Sequence, residues 1–331
     1  MNKPFLLSPA GKDYLWGGDR LKTEYGKDLP LSPLAETWEC STHPDGLSVV
    51  RSGPDAGKTL LELLKESPGM LGTHPAATRH ALPVLIKFID AKQDLSVQVH
   101  PDDAYAKDHE GGSLGKTEMW YVLDVPQDCR KAEIIFGLRE SMTREELLAC
   151  AGDGSILNHL QRVPVKKGDV FFVRAGTVHA ICGGITVAEI QESSNLTYRI
   201  YDYDRVGPDG KKRPLHIAQA LDVIDLKGTP APRQPIRLLK YSPGAARELI
   251  SRCRYFQTER ILLNTDGISG GIRHASGSNS FEVYLAISGE GQIACEEESL
   301  FSFRKGDCFF VPASSAVFSF LGRAELLRVV C

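Results

Sequence analysis

The chain has 331 residues, 42% of them hydrophobic and 24% charged, the make-up of an ordinary soluble globular protein with room for two domains. A net charge of −3 supplies no global basic field for nucleic acid or an anionic membrane, so an anionic ligand has to be held by a local cluster of cations. No stretch approaches the ~18 apolar residues that cross a bilayer, and residues 1–9 lack the apolar run of a signal peptide, so a cytoplasmic protein is expected.

In chain order, the first helical pattern is Leu60-Leu61-Glu62-Leu63-Leu64, a short amphipathic piece. Thr143 and Glu146 then match a capping box ahead of Leu147 and Leu148. A third helix follows Pro214, through Ile217, Ala220, Leu221 and Ile224. The rest consists of short β-type runs, among them 118–123, 170–173, 185–190, 197–201, 281–287 and 308–311, split by Gly, Pro and Asp. Many short strands at close spacing predict a mainly β chain, a sandwich or barrel rather than a parallel α/β sheet. Residues 228–235 carry three prolines in eight residues and read as a linker, which divides the chain into 1–230 and 236–331.

Eight cysteines, at 40, 129, 150, 182, 253, 295, 308 and 331, form no C-x-x-C pair. They read as reduced thiols that mostly fill core positions. A bound metal would then draw its ligands from histidine, carboxylate and amide groups.

An internal repeat supports two similar β-units. Gly168-Asp-Val-Phe-Phe-Val-Arg-Ala-Gly-Thr-Val-His179 lines up with Gly306-Asp-Cys-Phe-Phe-Val-Pro-Ala-Ser-Ser-Ala-Val317. Upstream, Thr117-Glu-Met-Trp-Tyr121 is set against Ser280-Phe-Glu-Val-Tyr284. On that alignment Glu118 faces Phe281 and His179 faces Val317, which predicts one working barrel and one structural barrel without metal ligands.

Gln98 and His100 are two apart, so in a strand both enter one interior. Glu118 comes from a second strand, and His179 follows the Phe-Phe-Val strand and its Ala-Gly turn. One amide oxygen, two imidazoles and a carboxylate suit Zn²⁺, with room for Mn²⁺, Co²⁺ or Fe²⁺. The Pro101-Asp102-Asp103 run reads as a turn that ends the first of these strands at the barrel rim. His43, His74, His80, His109, His159, His216 and His274 read as ordinary surface or core residues, and Trp16 and Trp120 as packing.

These residues resemble a cupin, and more narrowly the type I phosphomannose isomerase family in its short bacterial form. The resemblance spans nearly the whole chain. It is carried by Gly11-Lys-Asp-Tyr-Leu-Trp-Gly-Gly18, Ala35-Glu-Thr-Trp-Glu39, Leu85-Ile-Lys-Phe-Ile-Asp-Ala91 and Leu95-Ser-Val-Gln-Val-His-Pro101. It continues through Gly115-Lys-Thr-Glu-Met-Trp-Tyr121, Ala175-Gly-Thr-Val-His-Ala180 and Tyr198-Arg-Ile-Tyr-Asp-Tyr-Asp-Arg205. It implies two cupin-like jelly-roll barrels with a few short helices. It also implies one zinc ion per chain on Gln98, His100, Glu118 and His179, active-site lysines at Lys87 and Lys116, a catalytic Arg199 and a buried acid at Glu189. Longer members place a tyrosine where this chain has Ile181.

The implied reaction interconverts mannose 6-phosphate and fructose 6-phosphate through a cis-enediol. It needs an electrophile, a base and an anion clamp. Lys116, two residues from Glu118, points toward the same metal; a lysine beside a cation and partly desolvated would have a depressed pKa and serve as acid or base. Glu189 is the rival base. Arg199 suits the enediolate oxygens or the phosphate, and Arg205 and Lys87 are further phosphate candidates. Two other readings remain at this point: a cupin dioxygenase, and a sugar-binding module whose metal only organises the pocket. The expected partner is a hexose 6-phosphate, with no nucleic acid and no membrane, and a monomer or weak homo-oligomer is expected.

Overall fold

A computed structural model describes residues 2–73, 80–125, 132–151, 154–207, 209–295 and 298–331; His74 and Cys129 lie outside them. The chain is mainly β, as expected, and among the described residues its strands form three sheets. No described helix is long and apolar enough to cross a membrane.

One sheet is central. Its order is Val170–Val173, Glu118–Asp124, Ile185–Glu192, Val84–Ala91, Glu36–Cys40 and Ala10–Lys12. The strands Val84–Ala91 and Ile185–Glu192 are buried at every residue. Alternation explains how a strand can be buried on both faces. Ile86, Phe88, Ala188 and Ile190 pack toward Val283, Leu285, Leu327 and Val329 of the C-terminal half. Ile89, Val122 and Val187 turn the other way, onto Ile134, Phe136 and Ile181. A fully buried side chain such as Phe88 contributes about 1.5–3 kcal/mol over exposure.

The second sheet, which lies in the N-terminal half, runs Tyr198–Tyr201, Val97–Val99, His179–Ile181, Glu133–Leu138 and Leu160–Pro164. The third has ten strands and holds the C-terminal half, from Leu239–Ser242 through Phe318–Val330. It also contains the first strand of the chain: Phe5–Ser8 pairs with Cys308–Val311 through Phe5↔Phe310 and Leu7↔Cys308.

Helices form where the capping residues predict them. Thr59 and Glu62 close a capping box on Leu60–Glu66, and Thr143 and Glu146 close one on Arg144–Cys150. The third expected helix is Ile217–Val223. The run after His100 differs from expectation. It is a helix start rather than a turn: the Asp102 carboxylate accepts from Tyr105 N and caps Asp103–His109. Residues 228–235 are irregular, as proline requires, and they lie along the N-terminal half. Thr229 N donates to Leu138 O, and the Gln234 amide brackets Val170 N and O.

The strand expected at 281–287 runs on as Glu282–Cys295. It bulges at Ile287, between Ala286 and Ser288, and the Ser288-Gly-Glu-Gly291 stretch stays paired to Phe318–Val330. A Cβ on Gly289 would collide with the Arg323 carbonyl oxygen, so this close approach requires glycine.

Register also shifts the repeat by one residue. Val173 pairs with Glu118, and its counterpart Val311 pairs with Glu282, not Phe281. The second half has therefore kept the carboxylate. It is neutralised differently: Arg328 donates to Glu282 at 2.7 Å, His274 lies 2.8 Å away and Tyr284 donates at 2.6 Å. Val317, set opposite His179, is 45% exposed and faces no interior.

Candidate active site

Two rows of residues lie in the two sheets of the N-terminal half. In the five-stranded sheet Arg199 lies opposite Gln98, and Gln98 opposite His179. In the central sheet Trp38, Lys87, Glu189 and Trp120 form a row across four strands. Cross-strand partners share a face; Gln98 and Arg199 from one row and Lys87, Glu189 and Trp120 from the other line one cavity of about 400 Å³.

His100, Glu118 and His179 are fully buried and offer ligand atoms within 4.8 Å of one another. Among the described residues no other group of three such side chains converges in this way. Glu118 oxygens lie 3.3 Å from His179 Nε2 and 3.5 Å from His100 Nε2, and the Gln98 amide is 3.4 Å from His179 Nε2. His179 Nδ1 lies 2.8 Å from Thr177 O; donating there leaves Nε2 as a lone pair.

Burial pushes the His179 pKa down to about 4. Burial, then the Lys116 ammonium, pushes that of His100 well below its usual value. Both rings are therefore neutral near pH 7, the form a metal requires. Burial raises the Glu118 carboxyl against the pull of Lys116. Its two buried oxygens accept no hydrogen bond, though Lys116 Nζ stands 2.9 Å from Oε2. An unsatisfied carboxylate facing two imidazole lone pairs is a donor set that a divalent cation completes, so the residues present fit a metal.

Lys116 is inside this cluster, with Nζ 3.1 Å from His100 Nε2. Glu189 accepts from Trp120 Nε1 at 3.0 Å and lies 3.1 Å from Lys87 Nζ. Burial alone would raise the Glu189 pKa, but Lys87 and then Lys116 outweigh it and hold the carboxyl below its usual range. Lys87 is buried between Glu189 and Glu36, the latter 3.5 Å away, and Trp38 Nε1 donates to Glu36 at 2.8 Å.

The cavity also holds two guanidiniums and a further imidazole. Arg199, Arg213 and His216 line it. Burial and then the neighbouring Arg213 lower the Arg199 pKa, the mark of two guanidiniums held close together. Burial and then Arg199 likewise lower His216.

Of the site residues expected from sequence, the four metal ligands, Lys116, Glu189, Lys87 and Arg199 come together here. Arg205 does not: its guanidinium is taken by Asp202 and by Asp94 O at 2.5 Å, and it is not among the cavity-lining residues. Sequence reasoning missed Arg213, Gln219 and Tyr14, and set His216 aside as ordinary. They come from loops and a helix start, where no period marks an inward face. Trp120 packs edge-on against His179, with ring centroids 5.4 Å apart, and Trp16 is buried, but both also line the cavity rather than only packing the core.

Comparison with known proteins bears on this arrangement. Residues 5–139 match the model of the phosphomannose isomerase type I catalytic domain. The chain is 38% identical to the probable mannose-6-phosphate isomerase GmuF of Bacillus subtilis, over 99% of both chains. It belongs to the type I phosphomannose isomerase family. This phosphomannose isomerase family member is also 38% identical to the mannose-6-phosphate isomerase of Streptococcus mutans, over 99% of this chain and 98% of that one. The crystal structure of the Bacillus subtilis mannose 6-phosphate isomerase superposes with a TM-score of 0.87 at 34% identity, covering 99% of each chain. The chain is thus an enzyme of the phosphomannose isomerase class. Ile181 is buried beside Ile134 and lines the cavity.

Proposed function

We propose that the enzyme interconverts mannose 6-phosphate and fructose 6-phosphate by moving a proton between C1 and C2 through a cis-enediol. The observation that carries this reading is a lysine ammonium set against two metal-ligating groups, in a cavity that also holds two arginines. Held by Gln98, His100, Glu118 and His179, a divalent cation, zinc by the character of the donors, would stabilise negative charge on the sugar oxygens.

Lys116 is the proton-transfer group in this reading. Its Nζ is buried and lies within 3.1 Å of His100 and 2.9 Å of Glu118. Glu189 is the weaker choice, because Lys87 keeps it ionised and poorly basic, and a general base works best near the operating pH. Glu189 and Lys87 instead hold the wall of the cavity in one charge state. Arg199 and Arg213 clamp the phosphate, since two adjacent guanidiniums are relieved by a dianion. Arg213 is steadied for this by Asp202, which accepts from Nε at 2.8 Å and from Nη2 at 2.6 Å.

Turnover of mannose 6-phosphate in a coupled assay, lost on chelation and restored by zinc, is the expected result. Stoichiometric zinc without isomerisation would sink the reading and favour a sugar-binding role. Iron with oxygen uptake would favour an oxygenase.

A further inference from the structure

Lys116 sits outside any strand: the regular structure begins two residues later, at Glu118. A side chain on irregular backbone is only as well placed as that backbone. Three successive amides hold it. Gly115 N donates to Asp103 Oδ1 at 3.0 Å, Lys116 N to Pro101 O at 3.0 Å and Thr117 N to Glu192 Oε1 at 2.7 Å. Two of the three acceptors are carboxyl side chains, from a helix start and a strand end. The segment is pressed onto that helix start so closely that a Cβ on Gly115 would collide with the Asp102 carbonyl carbon.

Asp103 is itself fixed from the other half of the molecule. Its Oδ2 accepts from Tyr255 Oη at 3.0 Å and Arg254 Nη2 at 3.1 Å. Arg254 is exposed and contributes little; Tyr255 is half-buried.

We propose that Asp103 and Glu192 are positioning residues for Lys116, holding the 115–117 backbone so that the ammonium stays between His100 and Glu118, and that Tyr255 of the C-terminal half anchors them. The C-terminal half, whose own carboxylate Glu282 is spent on Arg328, thereby takes part in the reaction at a distance. The proposal rests on Lys116 being the proton-transfer group.

The ionisation of the pair is consistent with a clamp. Burial, then the Asp103 carboxylate, raises the Glu192 pKa to about 8. Burial would raise Asp103 too, but the N–H of Gly115, the Tyr255 hydroxyl and Glu192 outweigh it and lower its pKa. The two carboxyls are thus pushed apart, Glu192 toward its neutral form and Asp103 toward its charged form. The other titratable or charged groups facing the pair are Arg254, Tyr255 and Cys253, all from the turn before the strand Gln257–Asn264. Above pH ~8 Glu192 loses its proton and two carboxylates meet.

Glu192→Gln keeps an oxygen for Thr117 N and a donor for Asp103; Glu192→Ala removes both; Tyr255→Phe removes the anchor and keeps the ring. The first readout is the rate at which an amine-reactive reagent labels Lys116, followed by peptide mass spectrometry, and it needs no turnover. Labelling should be near the wild-type rate in Glu192→Gln and about fivefold or more faster in Glu192→Ala, with Tyr255→Phe between them. The second readout is steady-state kinetics of zinc-loaded protein on mannose 6-phosphate. Here kcat should fall about tenfold in Glu192→Ala, with KM and zinc content within about twofold of wild type, and Glu192→Gln should restore kcat. Wild-type labelling in both Glu192→Ala and Tyr255→Phe, or a change confined to KM, overturns the proposal. A wild-type enzyme that binds zinc without isomerising mannose 6-phosphate refutes the functional reading instead, and the labelling still decides the positioning.

Discussion

Replacing Lys87 by Met tests the charge arrangement of the cavity wall. The ammonium lies 3.1 Å from Glu189 and 3.5 Å from Glu36, and all three side chains are less than a tenth exposed. Removing one partner of a buried ion pair leaves uncompensated charge and costs about 3–5 kcal/mol. At ~2 °C per kcal/mol for a chain of this length, that lowers Tm by about 6–10 °C near pH 7.5. The pH dependence carries the sign. In the wild type Glu189 has a depressed folded pKa, so its contribution is present above the unfolded pKa and is lost only as pH falls through the folded value. Without Lys87 the largest charge opposing burial is gone, and the Glu189 carboxyl is pushed up. The folded variant then binds more protons than the unfolded chain, and its stability falls as pH rises. The Tm difference between wild type and variant should therefore shrink from pH 8 to pH 5.5. Glu189→Gln placed on top of Lys87→Met should recover part of the loss, because it removes a stranded charge. Differential scanning calorimetry of both proteins across that range is the assay. A Tm difference that is constant with pH, or a double variant no more stable than the single, would refute the argument.

Three further outcomes follow from the same geometry. His100→Ala should lower bound zinc to under about a tenth of an equivalent by metal analysis, since the remaining donors no longer close the site. Lys116→Met should keep the metal yet lose about 10²–10⁴ in kcat; full activity would move the proton-transfer role to Glu189. Arg213→Leu should raise KM for mannose 6-phosphate by roughly 10- to 150-fold, the worth of a charge-assisted hydrogen bond of about 1.5–3 kcal/mol, while any residual turnover of free mannose stays unchanged.

How much of this was legible in the sequence depends on how each residue is encoded. The strands 170–173 and 308–311 were read to the residue, because a Gly-Asp turn precedes each and small residues follow. The capped helices were legible for the same reason: a cap is a local chemical rule. The convergence of Gln98, His100 and Glu118 was legible because Gln98 and His100 obey the strand period and Glu118 opens the next strand. Arg213 and His216 reach the cavity from irregular backbone, where position along the chain carries no facing direction. Arg205, only three residues after Asp202, was drawn into that local carboxylate instead of the cavity. The repeat misled by one residue because both copies offer consecutive aromatic and apolar residues. Only the pairing of Val311 with Glu282 distinguishes the two alignments, and pairing is a long-range fact.

The strand Phe5–Ser8 has a consequence for how the molecule is made. It lies in the C-terminal sheet against Cys308–Val311, so its partner is synthesised some three hundred residues after it. Its early partner is Val49–Val50, through Leu7↔Val50 and Ser8↔Val49, while its other edge waits until the last strands emerge. A fragment cut at the proline-rich segment would expose the edge of Cys308–Val311, whose Phe309 and Phe310 offer a ready template for another chain. The two halves are thus sewn together by their ends. An isolated C-terminal half stays soluble only if the first eight residues are supplied alongside it.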